Sequence, residues 1–259
     1  MEKITFSFGE NWKELNKTIT RKEVESSKND LSYWIGADKI KGANVIDIGS
    51  GSGLHSLSFI ELGVESLFSF DYDKHSVEAT RSHWEQNGKP SNWTVTHGSV
   101  LDDDFISSLG RYDIVYSWGV LHHTGNMWKA IQNAASLVKP GGVFFITIYN
   151  DYNFDRSIRD KTNYNKAGVL GKRLLESKFI LKEMLILLKS GKNPFAWNRK
   201  KERGMNVYRD IVDWLGGLPY EIANEDEMLQ FGLKNGFSLK RIWCKEACHY
   251  YVFEKQLTQ

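Results

Sequence analysis

Three glycines and two aspartates in the first third of the chain could together bind a small cofactor. The run Asp47-Ile48-Gly49-Ser50-Gly51-Ser52-Gly53 follows a short apolar segment and precedes a segment with helical apolar spacing. Glycine tolerates positive φ angles and lets a ligand approach the backbone at the positive end of a helix dipole. Asp71 ends the next apolar segment, where a carboxylate could accept hydrogen bonds from ribose hydroxyls. The spacing G-x-G-x-G differs from the G-x-G-x-x-G of dinucleotide-binding loops.

A pair of histidines is the strongest candidate for acid–base chemistry. His122 and His123 follow a predicted strand, at the place where an acceptor molecule would bind. Because the ordinary pKa of histidine is near 6.5, either could act as a general base. The alternative is that one or both pack against, or cap, the following helix. His55 and His249 are further candidates, and the sequence does not indicate which histidine faces a site.

The predicted elements alternate between strands and helices, which is typical of a parallel sheet covered on both faces. The predicted strands are 45–48, 66–70, 93–96, 112–117 and 143–148, and the predicted helices between them are 54–62, 74–87 and 127–138. A helix at 225–235 and two closing strands at 237–243 and 249–253 follow, and residues 10–35 are predicted to form one or two amphipathic helices. Right-handed crossovers would give a doubly wound sheet with its ligand at the carboxyl ends of the strands.

The composition predicts an ordinary soluble protein. The chain has 259 residues, of which 41% are hydrophobic and 25% charged, and a net charge of +2, which does not by itself imply nucleic acid. The N-terminus lacks a signal-peptide pattern, and no apolar run reaches the roughly 18 residues of a membrane span. Cys244 and Cys248 match no zinc spacing. We therefore expect a cytoplasmic protein without a metal and without a transmembrane segment.

The segments between residues 44 and 148 resemble the ordered motifs of class I S-adenosylmethionine-dependent methyltransferases. Residues 45–53 resemble the first motif and 70–73 the ribose-binding motif, while 98–102 occupy the place of the adenine-flanking motif. Residues 112–124 resemble the fourth motif of the small-molecule subgroup, which includes ubiquinone and menaquinone methylases. Residues 137–142 resemble the turn before the fifth strand. Together these motifs make a nicotinamide-dependent enzyme an unlikely interpretation.

The resemblance implies an α/β fold and a set of cofactor contacts. It implies a doubly wound, seven-stranded Rossmann-like sheet of order 3-2-1-4-5-7-6, with strand 7 antiparallel, and S-adenosylmethionine as cofactor, with S-adenosylhomocysteine as product. The implied cofactor-binding residues are Asp47, Gly49, Ser50, Gly51, Gly53, Asp71, Tyr72, Ser99, Val100, Ser117 and Trp118. Asp47 would orient the loop or reach the amino group, and Ser117 and Trp118 would lie beneath the sulfonium. Many relatives carry Asp at the position of Ser99, so Asp102 or backbone groups would replace that contact.

The residues after the fourth strand favour methylation of a hydroxyl. Nucleobase amine methylases often carry Asn/Asp-Pro-Pro-Tyr/Phe there, whereas this chain has Ser117-Trp118-Gly119-Val120. No cysteine lies near the motifs, which disfavours cysteine-dependent pyrimidine methylation. We expect O-methylation of a small molecule or of a sugar or sugar nucleotide, with His122 or His123 as the base. The alternatives are a tRNA or other RNA methyltransferase and a cofactor-binding protein without turnover.

A basic segment interrupts the alternation between residues 150 and 222. Residues 152–209 contain 15 Lys or Arg and 5 Asp or Glu, a charge of +10, so the rest of the chain carries −8. We expect residues 1–259 to form a single methyltransferase domain, with an N-terminal helical cap at 1–40 and a basic helical lid at 150–222. The positive charge is explained by a solvated lid face, by an anionic substrate, or by a membrane surface or polyanion.

The end of this segment supplies the substrate-contact candidates. Residues 206–220, together with 6–12, loosely resemble a methyltransferase group associated with bacterial surface-polysaccharide pathways. The candidates are Tyr208, Arg209, Asp210 and Asp213. The alternative is that the two aspartates cap helices and that one of them pairs with Arg209. The sequence does not indicate an oligomeric state.

Overall fold

The fold is known from a computed structural model, which describes residues 19–150, 152–200, 206–244 and 248–257. The first part of the predicted N-terminal helical cap lies outside these residues. The strands are β1 Asn44–Ile48, β2 Ser66–Asp71, β3 Trp93–His97, β4 Tyr112–Ser117, β5 Val138–Tyr149, β6 Phe237–Trp243 and β7 Cys248–Lys255. The helices are α1 Arg21–Ile35, α2 Ala37–Ile40, α3 Leu54–Glu61, α4 Lys74–Gln86, α5 Asp103–Ser108, α6 Met127–Ser136, α7 Phe154–Lys166, α8 Val169–Lys189, α9 Val207–Gly216 and α10 Glu225–Lys234.

The seven strands form one sheet in the order β3-β2-β1-β4-β5-β7-β6. The first five strands are parallel to one another, and β7 is antiparallel to both β5 and β6. The sheet order and the antiparallel seventh strand predicted from the sequence are confirmed. The carboxyl ends of β1, β2 and β4 therefore meet at one edge, at the point where the strand order reverses.

Apolar clusters cover both faces of the sheet. On one face α1 and α3 pack through residues such as Leu31, Leu57 and Phe59. On the other face α6 and α10 pack through residues such as Ile131 and Met228. Because both faces are covered, β1 is apolar except for Asn44 at its start and for Asp47, as expected of a parallel strand.

The structure differs from the sequence prediction between α6 and β5. Helix α6 ends at Ser136 rather than 138, and β5 begins at Val138, well before the predicted residue 143. The pairing of β4 with β5 shifts register between Tyr112 and Ile114, so the Pro-Gly-Gly turn is a bulge within the strand. A Cβ on Gly142 would lie 3.0 Å from the carbonyl oxygen of Asp113. Glycine is thus needed here for close approach of two backbones.

Three helices, α7, α8 and α9, occupy the basic segment. They enclose a small apolar cluster of Tyr164, Val207, Ile211 and Leu215. The sequence predicts one long, strongly amphipathic helix at 169–188. Helix α8 covers these residues, but apolar side chains lie on both its inner and its outer side, so the predicted amphipathicity is wrong. Helix α7 was not predicted because its apolar residues are few. No helix among the described residues is long and apolar enough to cross a bilayer.

Candidate active site

The glycine loop forms a tight turn between β1 and α3. Gly49 and Gly53 have φ angles of 77° and 80°, in the region that favours glycine. A Cβ on Gly49 would lie 2.5 Å from the side chain of Val120, and a Cβ on Gly53 would lie 2.8 Å from Cα of Thr80. The glycines therefore let the loop pack tightly between β4 and α4 while its backbone lines a cavity.

Asp71 lies beneath this loop at the end of β2. Its Oδ2 accepts a hydrogen bond from the backbone N–H of Gly51 at 3.0 Å, and its Oδ1 accepts from Asp73 at 2.8 Å. Burial raises the pKa of the Asp71 carboxyl to about 6, although these hydrogen bonds oppose the shift. Two carboxylate oxygens offer about four acceptor positions, so this carboxylate can still bind hydroxyl groups of a ligand in the cavity.

Asp47 does not line the cavity, in contrast to the direct contact considered from the sequence. Its buried carboxylate accepts a hydrogen bond from Oγ of Ser56 at 2.5 Å, and Ser56 also lies 2.9 Å from Oγ of Ser69. Burial raises the pKa of Asp47 to about 7. Asp47 thus connects β1 to α3 and β2, which leaves it only the alternative role of orienting the loop.

The loop and Asp71 line one end of a cavity of about 770 Å³. At this end the cavity is lined by Gly49, Ser50, Gly51, Ser52, Asp71, Tyr72, Ser99, Val100 and Trp118. Gly53 and Ser117 are not among the lining residues, and Oγ of Ser117 donates to the carbonyl of Ile48 at 3.0 Å. Asp102 caps α5 by accepting hydrogen bonds from two backbone N–H groups. The roles predicted for Ser117 beneath a sulfonium and for Asp102 beside an adenine remain predictions, and both side chains make hydrogen bonds to the backbone.

The same cavity continues beneath the helices of the basic segment. At this second end it is lined by His123, Thr124, Tyr149, Lys161, Phe179, Glu183, Asp210, Ile211, Asp213, Trp214, Leu218 and Pro219. These side chains come from the segment after β4, from β5, from the helices α7, α8 and α9, and from the turn that follows α9. A molecule that binds here would lie next to one that contacts the glycine loop.

The structure distinguishes between the two candidate histidines. His123 lines the cavity, whereas His122 is completely buried beneath it and does not. Nδ1 of His123 lies 2.6 Å from the carbonyl oxygen of Pro219. A carbonyl can only accept, so Nδ1 carries the proton and Nε2 has the lone pair. Burial lowers the pKa of His123 to about 3, with Lys161 lowering it further, so the ring is neutral at pH 7.

His55 and His249, the other histidine candidates, lie in different places. His55 lines the first end of the cavity and makes an edge contact with Tyr116. His249 is buried on β7, outside the cavity, and its Nδ1 lies 3.3 Å from a carboxylate oxygen of Glu225.

Lys161 was not among the residues predicted from the sequence. It is only 1% exposed, and its ammonium lies 4.5 Å from the ring centre of Trp214 and 4.4 Å from that of Tyr220. Its charge contributes to the lowered pKa values of both His122 and His123. A lysine in a highly charged helix gives no sequence signal of burial, because its position depends on how α7 packs against α9.

The four substrate-contact candidates do not come together. Asp210 and Asp213 line the cavity. Tyr208 and Arg209 line a separate hollow of about 430 Å³ with Lys172 and Arg173. The Tyr208 hydroxyl donates to the buried carboxylate of Glu176 at 2.9 Å. Tyr208 and Arg209 therefore line a different hollow from the two aspartates, and their role as substrate contacts remains a prediction.

Short backbone links attach the end of the basic segment to the histidine pair. Besides the His123–Pro219 bond, the backbone N–H of Glu221 donates to the carbonyl of His122 at 2.9 Å. The Glu221 carboxylate accepts from the N–H of Met127 at the start of α6. These hydrogen bonds thus attach the end of the basic segment, which lines the second end of the cavity, to the segment that follows β4.

The first end of the cavity fits a nucleoside with an attached amino-acid chain. Asp71 supplies hydroxyl acceptors, the glycine loop supplies backbone groups, and the side chains of Tyr72 and Val100 supply surface for a flat base. The cavity then leads directly to His123. This arrangement matches S-adenosylmethionine better than a dinucleotide. If a dinucleotide were bound, its nicotinamide and the substrate would both have to fit in the second end of the cavity.

Comparison with known proteins agrees with this assignment. A profile of the methyltransferase domain family matches residues 39–209. A ubiquinone biosynthesis O-methyltransferase of Vibrio parahaemolyticus is 32% identical over 113 residues, which are 43% of this chain and 46% of that protein. That of Proteus mirabilis is 33% identical over 113 residues, 43% and 44% of the two chains. This chain therefore matches less than half the length of these curated relatives.

Solved structures share the fold. Magnesium protoporphyrin IX methyltransferase from Synechocystis, with bound S-adenosylhomocysteine, has a TM-score of 0.55 at 15% identity and covers 93% of this chain and 86% of its own. A putative S-adenosylmethionine-dependent methyltransferase from Methanococcus maripaludis has a TM-score of 0.56 at 16% identity, covering 100% and 96%. With the family match over residues 39–209 and the seven-stranded sheet, these findings show that the chain belongs to the class I methyltransferase domain family, whose cofactor is S-adenosylmethionine.

Proposed function

We propose that this protein transfers the methyl group of S-adenosylmethionine to a hydroxyl of a small molecule, either a phenol or a sugar. The observation that carries the proposal is the continuous cavity, which runs from the glycine loop and Asp71 to His123 and Lys161. When bound, the cofactor supplies an electrophilic methyl group. The chain's own task is then to hold an acceptor oxygen in line and to accept its proton.

The cofactor roles follow from the cavity lining. We assign Asp71 to the ribose hydroxyls, the backbone of Gly49 to Gly51 to the amino-acid part, and Tyr72, Ser99 and Val100 to the adenine. Trp118 lines the same cavity, and we assign it to the side of the sulfonium. Asp47 supports the loop from below through Ser56.

We assign His123 as the general base. The Pro219 carbonyl fixes its tautomer, so the proton acceptor is Nε2. A base with a pKa of about 3 is weak in the empty cavity. However, Lys161, whose positive charge lowers that pKa, would also lower the pKa of a nearby acceptor hydroxyl. This lowering at the acceptor would offset part of the basicity that His123 loses to burial and to Lys161.

The second end of the cavity favours a flat, hydroxyl-rich acceptor. Phe179, Tyr149 and Trp214 offer ring faces, which suit a phenol or a sugar. Glu183, Asp210 and Asp213 can accept hydrogen bonds from hydroxyls. Glu183 also pairs with Arg199 at 3.6 Å, so the acidic groups at this end are partly neutralised. A lining of this kind suits neutral hydroxyl groups better than the phosphates of a polyanion, which supports a small acceptor over RNA. The basic segment of residues 150–222 then acts as a lid that supplies these contacts.

A methyl-transfer screen tests this proposal. Labelled S-adenosylmethionine would be incubated with the full chain and with phenolic quinol precursors, sugars, sugar nucleotides and bulk tRNA in parallel. Label in a phenol or a sugar is the expected result. Label in tRNA alone would refute the small-molecule assignment, and label in none of them, with the cofactor bound, would support a binding protein without turnover.

Substitution of Lys161 with methionine tests the proposed acceptor subsite. Methionine keeps the shape of the side chain and removes its charge, so we expect the acceptor KM to rise by about tenfold or more, since a hydrogen bond to a charged group contributes about 1.5 kcal/mol or more. Cofactor affinity should not change. Histidine resonances followed by NMR should show the pKa of His123 rising from about 3, while burial keeps it below its ordinary value.

Lys166→Met is the matched control, because Lys166 lies on the same helix and is exposed. It should alter neither KM nor the pKa of His123. An unchanged acceptor KM in Lys161→Met would remove Lys161 from the subsite.

Cofactor binding should weaken in acid because of Asp71. Burial raises the folded-state pKa of this carboxyl to about 6, so the group is charged above pH 6 and protonated below it. The protonated form loses acceptor capacity, and we expect Kd for S-adenosylmethionine to be about tenfold higher at about pH 5 than at neutral pH. Calorimetry over this range measures the effect. Asp71→Asn should remove the pH dependence, whereas Asp47→Asn should retain it.

A further inference from the structure

Helix α8 has two different faces, and within the described residues only one of them packs against the other helices of the fold. Phe179 and Glu183 line the cavity, and Leu187 is buried on the same side. The opposite side presents five leucines at positions 170, 174, 181, 185 and 188, which are between 48 and 82% exposed. Their intervals of 4, 7, 4 and 3 residues place them along one stripe of the helix.

A row of cations follows this leucine stripe. Lys178, Lys182 and Lys189 recur at intervals of 4 and 7 residues, so they lie beside one another along one flank of the stripe, and all three are exposed. Within the described part of the chain, none of the three takes part in an ion pair. Beyond the end of the helix, Lys192 and the 81% exposed side chain of Phe195 extend the same combination of cation and apolar group.

The two carboxylates of α8 are directed away from this surface. Glu176 is buried and accepts hydrogen bonds from Tyr164 and Tyr208, and Glu183 lies in the cavity lining. The outer side of α8 is therefore apolar and purely cationic. Apolar residues flanked by lysines are the pattern of a helix that lies in the plane of an anionic bilayer, where the leucines enter the acyl boundary and the lysines contact phosphate headgroups.

We propose that the outer face of α8 binds an anionic membrane surface. A second copy of this chain is the other occupant to consider. In an antiparallel pair of α8 helices the lysine rows would lie against each other, and in a parallel pair they would face a flank that also has no carboxylate. Charge complementarity therefore favours lipid phosphates over self-association.

Membrane binding would place the cavity close to the bilayer. Phe179 and Glu183 are on the side of α8 opposite the leucine stripe, so one helix diameter, about 10 Å, separates the cavity lining from the lipid surface. This inference goes beyond the proposed methyl transfer and is testable without knowing the acceptor.

Vesicle co-sedimentation of the full chain tests the proposal. We expect binding to vesicles that contain phosphatidylglycerol to be about tenfold or more tighter than to pure phosphatidylcholine, and to weaken as salt is added. Leu181→Glu with Leu185→Glu should reduce binding by about tenfold or more. Leu233→Glu, a change at an exposed leucine on α10, is the matched control and should leave binding unchanged.

The readouts separate this proposal from the proposed function and from misfolding. Calorimetry with S-adenosylmethionine reports whether each variant is folded, and if the double leucine variant fails there, Lys178→Gln with Lys182→Gln and Lys189→Gln decides in its place. Absence of binding to phosphatidylglycerol vesicles, or equal binding by these variants, overturns the proposal. A dimer in analytical ultracentrifugation that dissociates in the leucine variant overturns it in favour of a second copy.

Discussion

Replacement of Asp71 with alanine is expected to weaken S-adenosylmethionine binding by about 100-fold. Its carboxylate is the hydroxyl acceptor assigned to the ribose, and two hydrogen bonds to a charged acceptor contribute about 1.5 kcal/mol each, about 3 kcal/mol in total. The same carboxylate accepts from the N–H of Gly51, so its loss also frees the glycine loop. Calorimetry gives the Kd directly, and the stabilisation of the fold by added cofactor should decrease in parallel.

Two further variants separate the possible causes. Asp71→Asn keeps an acceptor oxygen for Gly51 but loses the charge, so an intermediate loss would assign part of the effect to the ribose contact. Asp102→Ala is the matched control, because Asp102 caps α5 and does not line the cavity. It should cost about 1 kcal/mol of stability and leave Kd unchanged. Full cofactor affinity in Asp71→Ala would contradict the assigned site.

His123→Asn is expected to lower the methyl-transfer rate by about 100-fold or more, the range in which general bases contribute. Asparagine can still donate from its amide to the Pro219 carbonyl, so the local backbone should hold, but no Nε2 is left to accept a proton. The rate is measured with an acceptor from the screen at saturating cofactor. The Kd for S-adenosylmethionine should not change, because the predicted defect is confined to the chemical step.

His122→Met provides the comparison for the neighbouring histidine. His122 is completely buried and does not line the cavity. Its replacement should therefore lower the melting temperature and have little effect on the methyl-transfer rate. If His122→Met loses as much rate as His123→Asn, or if His123→Asn keeps full rate, the assignment of His123 as the base is wrong.

The sequence alone predicted the first end of the cavity well, because that end is encoded locally. The glycine loop and Asp71 each lie at a strand end, and parallel strands bring their carboxyl ends to one edge wherever the alternation of strand and helix holds. Some of the predicted residues do not line the cavity at this end. Ser117 and Asp47 have the right position along the chain, but their side chains satisfy hydrogen bonds below the loop, with Ile48 and Ser56.

The residues at the second end of the cavity could not be predicted from the sequence, because this end depends on contacts between distant elements. In the sequence, Lys161 is one of many cations that are expected at the surface. It is buried beside Trp214 because α7 packs against α9. Tyr208 and Arg209 are adjacent to Asp210 in sequence, yet the helix directs them into a different hollow.

The basic segment shows the same division between what the sequence predicts and what only helix packing decides. The sequence determined that residues 152–209 carry +10 and that a long helix covers 169–188. Only the tertiary structure decided which side of α8 faces inward, since packing requires burial of Leu187 and of the hydrogen-bonded Glu176. That choice leaves the leucine stripe and its lysines on the outside. The proposed methyl-donor site is thus determined by local sequence, whereas the proposed acceptor site and the outer surface are determined by the way three helices pack.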